Sequence, residues 1–334
     1  MTKYIKIIFA ACIVLAAAMA GCKKDKDPEQ PKDITITIAA ISGITAPVAG
    51  ATPVTTVSAT EQYTATITWQ PADATFAHST AYTATVTLTA KAGYTLAGVA
   101  ANFFTVAGAT ATSEAGKGVV TAVFPETAAA PAIAVTAEGL DNLKVGVAVT
   151  ASIVYTLANG EYAASITAAD FAVSDLPAGL SGAATRTSGT AVTVAISGTP
   201  TTANATETTI TLPASIPAAN VAGATSAVTP AGTVTAGAVA KGNGAEVNYP
   251  TAKNITRNSI EITVTIIGTN PGGQTVEYAI REVPFLPESG WQSDTLFEGL
   301  EADTYYWLFA RTAENANCYA GTTVRSAQSV STNP

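Results

Sequence analysis

Along most of this chain apolar and polar positions alternate with a period of two. Residues 34–38 read Ile-Thr-Ile-Thr-Ile and residues 63–69 read Tyr-Thr-Ala-Thr-Ile-Thr-Trp; residues 82–88, 119–124, 192–196, 260–266 and 275–280 repeat the pattern. Successive side chains of a strand point to opposite faces, so each segment offers apolar groups on one side and Thr or charge on the other. That is the pattern of antiparallel strands half-buried in a sandwich. Turn formers fall between them: Pro47, Gly50 and Pro53, then Pro71-Ala72-Asp73, Ala92-Gly93, Asn159-Gly160, Pro177-Ala178-Gly179 and Asn270-Pro271-Gly272-Gly273. This spacing predicts an all-β chain of Greek-key-like units. Ala-rich stretches such as residues 163–169 do not compete as helices, because Thr and Gly interrupt such runs and no stripe at i, i+3, i+4 persists.

Two segments lack the pattern. Residues 126–131 follow the strand ending at Phe124, and residues 236–245, with Gly237, Gly242 and Gly244, hold no bulky side chain. They divide the chain into units 34–126, 132–235 and 246–334, each close to the size of an immunoglobulin-like sandwich. Small and polar linkers of this kind predict three sandwiches in series that fold independently. No internal repeat relates the three.

Composition narrows the function classes. The chain has 334 residues, 48% hydrophobic and 12% charged, so it is not a disordered polyelectrolyte. With 16 basic against 24 acidic residues the formal charge is −8, which offers no electrostatic footprint for nucleic acid. A single His nearly excludes a histidine-built metal site, and neither a metal nor a cofactor is expected.

The N-terminus carries Lys3 and Lys6, an apolar run over residues 7–20, then Gly21-Cys22 and an abruptly polar stretch, residues 23–33. A positive start, a short apolar run and small residues at the cut make a secretory signal peptide over residues 1–21. Spanning a bilayer takes about 20 apolar residues, so no transmembrane anchor is expected. The tetrapeptide Met19-Ala20-Gly21-Cys22 resembles the lipobox of bacterial lipoproteins. The resemblance implies that Cys22 becomes the lipidated first residue, so that the acyl chains supply the membrane attachment. Residues 22–33, with Pro28 and Pro31, then form an extended tether. Lys23, rather than Asp, follows the Cys, which in Gram-negative lipoproteins resembles an outer-membrane destination. A surface-exposed placement is expected, with a periplasm-facing one as the alternative. Cys12 leaves with the signal and Cys318 has no partner, so no disulfide is expected.

Three further resemblances follow from local motifs. Pro47-Val48-Ala49-Gly50-Ala51-Thr52-Pro53, Thr66-Ile67-Thr68-Trp69, Lys91-Ala92-Gly93-Tyr94 and Asn102-Phe103-Phe104-Thr105-Val106-Ala107-Gly108 together resemble an immunoglobulin-like repeat of bacterial surface proteins. Leu176-Pro177-Ala178-Gly179-Leu180 with Ile196-Ser197-Gly198-Thr199-Pro200 resembles the immunoglobulin domains of bacterial adhesins; Pro177 and Gly179 would form a turn anchored by Leu176 and Leu180. Residues 246–334 resemble a fibronectin type III domain. Gly299-Leu300 and Asp303-Thr304-Tyr305-Tyr306 match the tyrosine corner of that family, while Trp291 lies later than its usual core Trp.

If Tyr306 points inward, Leu308 and Ala310 do too, and Tyr305, Trp307, Phe309 and Arg311 share the outer face. These four are the candidate ligand-binding residues, an exposed aromatic row able to stack on sugar rings or to dock another surface protein. The alternative is that the register is one residue off, or that a neighbouring strand covers the row. Catalysis has little support. His78 has Ser79 beside it but no nucleophile elbow or zinc spacing, and Asp73, Asp141, Asp170 and Asp175 sit where Asp serves turns. The expected function is therefore that of a lipid-anchored, non-catalytic adhesion or structural module. The alternatives are a glycan-binding accessory lipoprotein of a sugar-uptake system and, behind it, a hydrolase built on convergent carboxylates.

Overall fold

The computed structural model describes residues 32–334; the signal peptide and Cys22 lie outside the described residues. The described chain is all-β, with two single-turn 3-10 segments, Ala168–Phe171 and Ala218–Asn220, as its only helical pieces. Among the described residues no helix is long and apolar enough to cross a membrane. By internal contacts it divides into two compact units.

The first unit comprises residues 32–46, 54–70 and 83–123. Its main sheet is antiparallel, with β1 (Tyr63–Gln70), β2 (Thr83–Ala90), β3 (Thr110–Ser113) and β4 (Val119–Val123) in the order β1-β2-β4-β3. The period-two pattern works as expected. Ile67 and Trp69, Ala84, Val86 and Leu88, and Val120 and Ala122 are buried, while Thr64, Thr66 and Thr68 stay outside. Tyr63 meets Phe104 edge-on, with ring centroids 6.1 Å apart. The run at residues 34–38 is shorter as a strand than its pattern implies. Only Ile34–Thr35 pairs, in parallel with Tyr94–Thr95, because the Gln62 Oε1 accepts the N–H groups of Thr37 and Ile38 at 2.8 and 3.0 Å in place of a ladder.

The second unit comprises residues 47–53, 71–82 and 124–334 and holds two hydrophobic clusters. The earlier one is built on a five-stranded sheet of β5 (Ala132–Glu138), β6 (Val149–Ala158), β7 (Leu180–Ser188), β8 (Ala191–Gly198) and β9 (Pro230–Ala231), ordered β7-β8-β6-β5-β9. Ile153, Tyr155 and Leu157 from β6 and Val192, Val194 and Ile196 from β8 face inward. Opposite them lie short pairs: Leu143–Lys144 with Val239–Ala240, Glu161–Tyr162 with Val221–Ala222, and Thr208–Ile210 with Val234–Ala236. The Pro177 turn forms as the motif predicts: the Leu180 N–H donates to Pro177 O at 3.0 Å, and Gly179 takes φ +92, which a Cβ would strain.

The later cluster is closed by two sheets. One is β10 (Thr251–Ile255), β11 (Ser259–Thr263) and β13 (Leu296–Glu298); the other is β12 (Val276–Arg281), β14 (Tyr305–Thr312) and β15 (Val324–Arg325), with β16 (Val330–Ser331) pairing the start of β14. Ile260, Ile262 and Phe297 meet Tyr278, Tyr306, Leu308 and Ala310 between them. We call these two the second and third sandwiches.

Residues 236–245, expected as a small and polar linker, are packed into the second sandwich and against the third. Ala236 is fully buried and Val239 nearly so, both in the second core. The Gly242 N–H donates to Asn317 O at 2.8 Å, and the Ala245 N–H to the Gln274 Oε1 at 2.9 Å. Small residues are there because the backbones touch: a Cβ on Gly244 would come within 2.2 Å of the Gly321 nitrogen. Glycine marks close approach of two chains as readily as it marks flexibility.

Candidate functional site

The inward half of the β14 expectation holds. Tyr306 is 5% exposed, and Leu308 and Ala310 are fully buried. The Glu301 N–H donates to the Tyr306 hydroxyl at 3.0 Å, and Leu300 packs on the same core, which completes the tyrosine corner.

The outer half differs from expectation. Tyr305 stands 65% exposed, but Phe309 is completely buried, and Trp307 and Arg311 are half-buried. The covering groups come from β12, from β15 and from the loop that carries Trp291. Arg325 lies opposite Phe309 in the ladder, and its guanidinium sits 4.3 Å from the centre of the Trp307 ring while its Nη1 donates to Pro284 O at 2.9 Å. Arg311 repeats the arrangement. Its guanidinium lies 4.2 Å over the Trp291 ring and its Nε donates to the Glu277 carboxylate, its cross-strand neighbour. Each partly desolvated cation–π stack of this kind is worth about 0.5 to 2 kcal/mol. The face is thus a half-covered layer in which guanidinium groups stack on the rings of Trp291 and Trp307. An open platform able to receive a sugar ring would need Trp307, Phe309 and Arg311 uncovered, so the aromatic-row reading is corrected: only Tyr305 of the four is free to stack.

The other candidates are structural. The His78 Nδ1 contacts Ala128 O at 3.1 Å, with no carboxylate on the ring. Asp73 accepts the Tyr82 hydroxyl, and Asp170 accepts from the Asn220 Nδ2 at 2.7 Å. Asp175 adopts φ +60, the left-handed conformation that Asp tolerates in turns. Among the described residues no three His, Cys, Asp or Glu side chains gather as metal ligands.

The junction between the second and third sandwiches is bonded from the loop after β14. Asn317 and Tyr319, on the loop after β14, pair with the backbone of Gly242: Gly242 N to Asn317 O at 2.8 Å and Tyr319 N to Gly242 O at 3.1 Å. Gln274, 4% exposed, accepts from Ala245 N–H and donates through Nε2 to Ala313 O at 2.7 Å and Tyr319 O at 2.8 Å. Thr312, fully buried, donates to Ala245 O at 2.8 Å. Both ends of the buried Gln274 amide and the Thr312 hydroxyl thus find partners in this seam, as a buried contact requires. The only signal for it in the sequence was an amide-rich loop after a strong strand.

No family model matches the chain, and no curated protein matches it in sequence. Among solved structures it is similar to domains A168–A170 of titin (TM-score 0.26, 9% identity, covering 77% of this chain and 94% of that one). It is also similar to the FN1–FN3 domains of chicken CNTN1 (TM-score 0.24, 12% identity, 84% and 93%). A third likeness is to the N-terminal part of the bacterial S-layer protein SbsC (TM-score 0.18, 13% identity, 59% and 44%). Superpositions of this quality carry no argument, and the fold stated above rests on the chain's own sheets.

Proposed function

We propose that this chain is a lipid-anchored, non-catalytic structural module of the bacterial cell envelope, a spacer that holds its sandwiches away from an outer membrane. The observation that carries the reading is the junction just described. Two sandwiches joined by backbone hydrogen bonds and a buried, fully paired Gln274 resist bending, which a spacer needs and a jointed enzyme does not. The Met19-Ala20-Gly21-Cys22 motif and the tether over residues 22–33 support the anchoring half. Cleavage before Cys22 would remove Lys3 and Lys6 and leave 14 basic against 24 acidic residues, and a body of charge −10 gains nothing from anionic lipid, so the acyl chains would carry the attachment. Attachment through Cys22 predicts that Cys22→Ser moves the protein from the membrane to the soluble fraction and abolishes labelling by palmitate. A Ser variant that stays in the membrane fraction and still takes up label refutes the anchor.

A further inference from the structure

We infer that the second and third sandwiches are one cooperative body, because a side chain of the third completes the core of the second. Cys318 lies on the loop after β14, yet it is fully buried and belongs to the cluster formed by Leu143, Val145, Ile153 and Val239. It bridges in parallel to Gly242, whose missing side chain makes the space: a Cβ there would stand 2.9 Å from the Cys318 sulfur. From the other side Gly272 leaves the same kind of gap, since a Cβ on it would come within 2.3 Å of that sulfur.

The loop is held in this pose by amides. The Asn315 Oδ1 accepts the N–H groups of Asn317 and Cys318, both at 2.9 Å, and its Nδ2 donates to Gly272 O at 2.8 Å. The Asn317 Oδ1 reaches into the second sandwich and accepts the Ala203 N–H at 3.0 Å. Pro271 touches Gly146 closely enough that a Cβ there would lie 2.8 Å from its Cγ. The ion pair across the rim, Lys241 with Glu314 at 2.6 Å, is exposed and contributes little. What joins the two bodies is therefore an apolar plug framed by three amide side chains. Pulling the third sandwich away would open the end of the second core to water, so the two lose structure together. The inference is independent of the lipid anchor, and failure of the Cys22 experiment leaves it untouched.

The test uses residues 23–334, which contain all the described residues and a single thiol, Cys318. Hydrogen exchange is read on peptides covering Leu143–Lys144 and β6 in the second sandwich and β14 in the third, alongside labelling of the thiol by a disulfide reagent. In the parent chain the thiol is expected to react at least about 100-fold more slowly than free cysteine, at the pace of the opening of β6. Gly272→Ala, allowed by the backbone but not by the space, changes only the third sandwich. It is expected to speed labelling at least about tenfold and to lower protection of Leu143–Lys144 and β6 together with β14. Adding Cys318→Ala removes the clashing sulfur and should return protection to the level of Cys318→Ala alone. Should Gly272→Ala fail to fold, Cys318→Ala by itself must still lower protection of β6. The inference is overturned if the parent thiol labels freely, or if these variants deprotect β14 and leave Leu143–Lys144 and β6 as in the parent.

Discussion

The second and third sandwiches each bury three aromatic rings in the core, but only the third adds a ring layer on its outer side. In the second the rings are inside: Tyr155 and Tyr162 each meet Phe171 edge-on at 5.6 Å, and all three are at most 2% exposed. Neither phenol oxygen has a hydrogen-bond partner, and burial pushes both hydroxyls up to about 12. In the third, Tyr278, Phe297 and Tyr306 also face the core, and the Tyr306 oxygen is bonded to Glu301 N–H; a further set of rings lies on the outer side, with Arg311 stacked on Trp291 and Arg325 on Trp307 beside the buried Phe309. A chain poor in bulky residues can fill one core with rings at the cost of stranded hydroxyls. It can also thicken a domain from outside with ring and cation layers.

The sharpest way to break that contrast is at Phe171. Truncation to Ala removes the ring that both tyrosines lean on, and it should destabilise the second sandwich by about 3 to 5 kcal/mol. Urea unfolding followed by hydrogen exchange of β6 peptides reads it, since no tryptophan and only two of the 11 tyrosines, Tyr155 and Tyr162, lie in that sandwich. A loss below about 1 kcal/mol would show that the ring trio is not the centre of that core.

How far the sequence foretold this depends on the element. β2 was fully legible, because Ala84, Val86 and Leu88 alternate with threonines and a strand buried on one face needs no more. β7 was not: Leu180–Ser188 is an edge strand exposed along most of its length, formed by pairing with β8, and so it carries no apolar period. For the site, the inward set of Tyr306, Leu308 and Ala310 followed from alternation alone. The covering of Trp307 and Arg311 did not, because Arg325 and Trp291 come from segments whose placement over β14 only the third dimension supplies. The junction was hidden for another reason: a run of glycines reads the same whether backbones are loose or pressed together, as at Gly244 and Gly321.

A smaller effect is expected on the outer layer. Trp307 is half-buried and one neighbour, Arg325, stacks on it, so Trp307→Ala should lower stability by about 1 to 2 kcal/mol without unfolding the domain. Thermal unfolding of the full described chain reads this, with a glycan-array screen run beside it. A loss as large as that at Phe171 would make the outer layer a second core. A glycan signal in the parent that vanishes in the variant would restore the binding platform that the covered geometry argues against.

The smallest effect is the most discriminating, because its sign differs between the two sandwiches. Tyr155→Phe deletes a buried hydroxyl that bonds nothing, so the second sandwich gives up no hydrogen bond and sheds the desolvation penalty of the oxygen. The change should be neutral or stabilising by up to about 1 kcal/mol. Tyr306→Phe deletes an oxygen that accepts the Glu301 N–H, leaving that donor without its partner at the corner before β14. It should destabilise the third sandwich by about 1 kcal/mol. Urea midpoints at neutral pH, where both phenols are protonated, separate the two cases. Equal losses at both positions would mean that Tyr155 has a partner after all, and that the contrast between stranded and satisfied hydroxyls does not distinguish these cores.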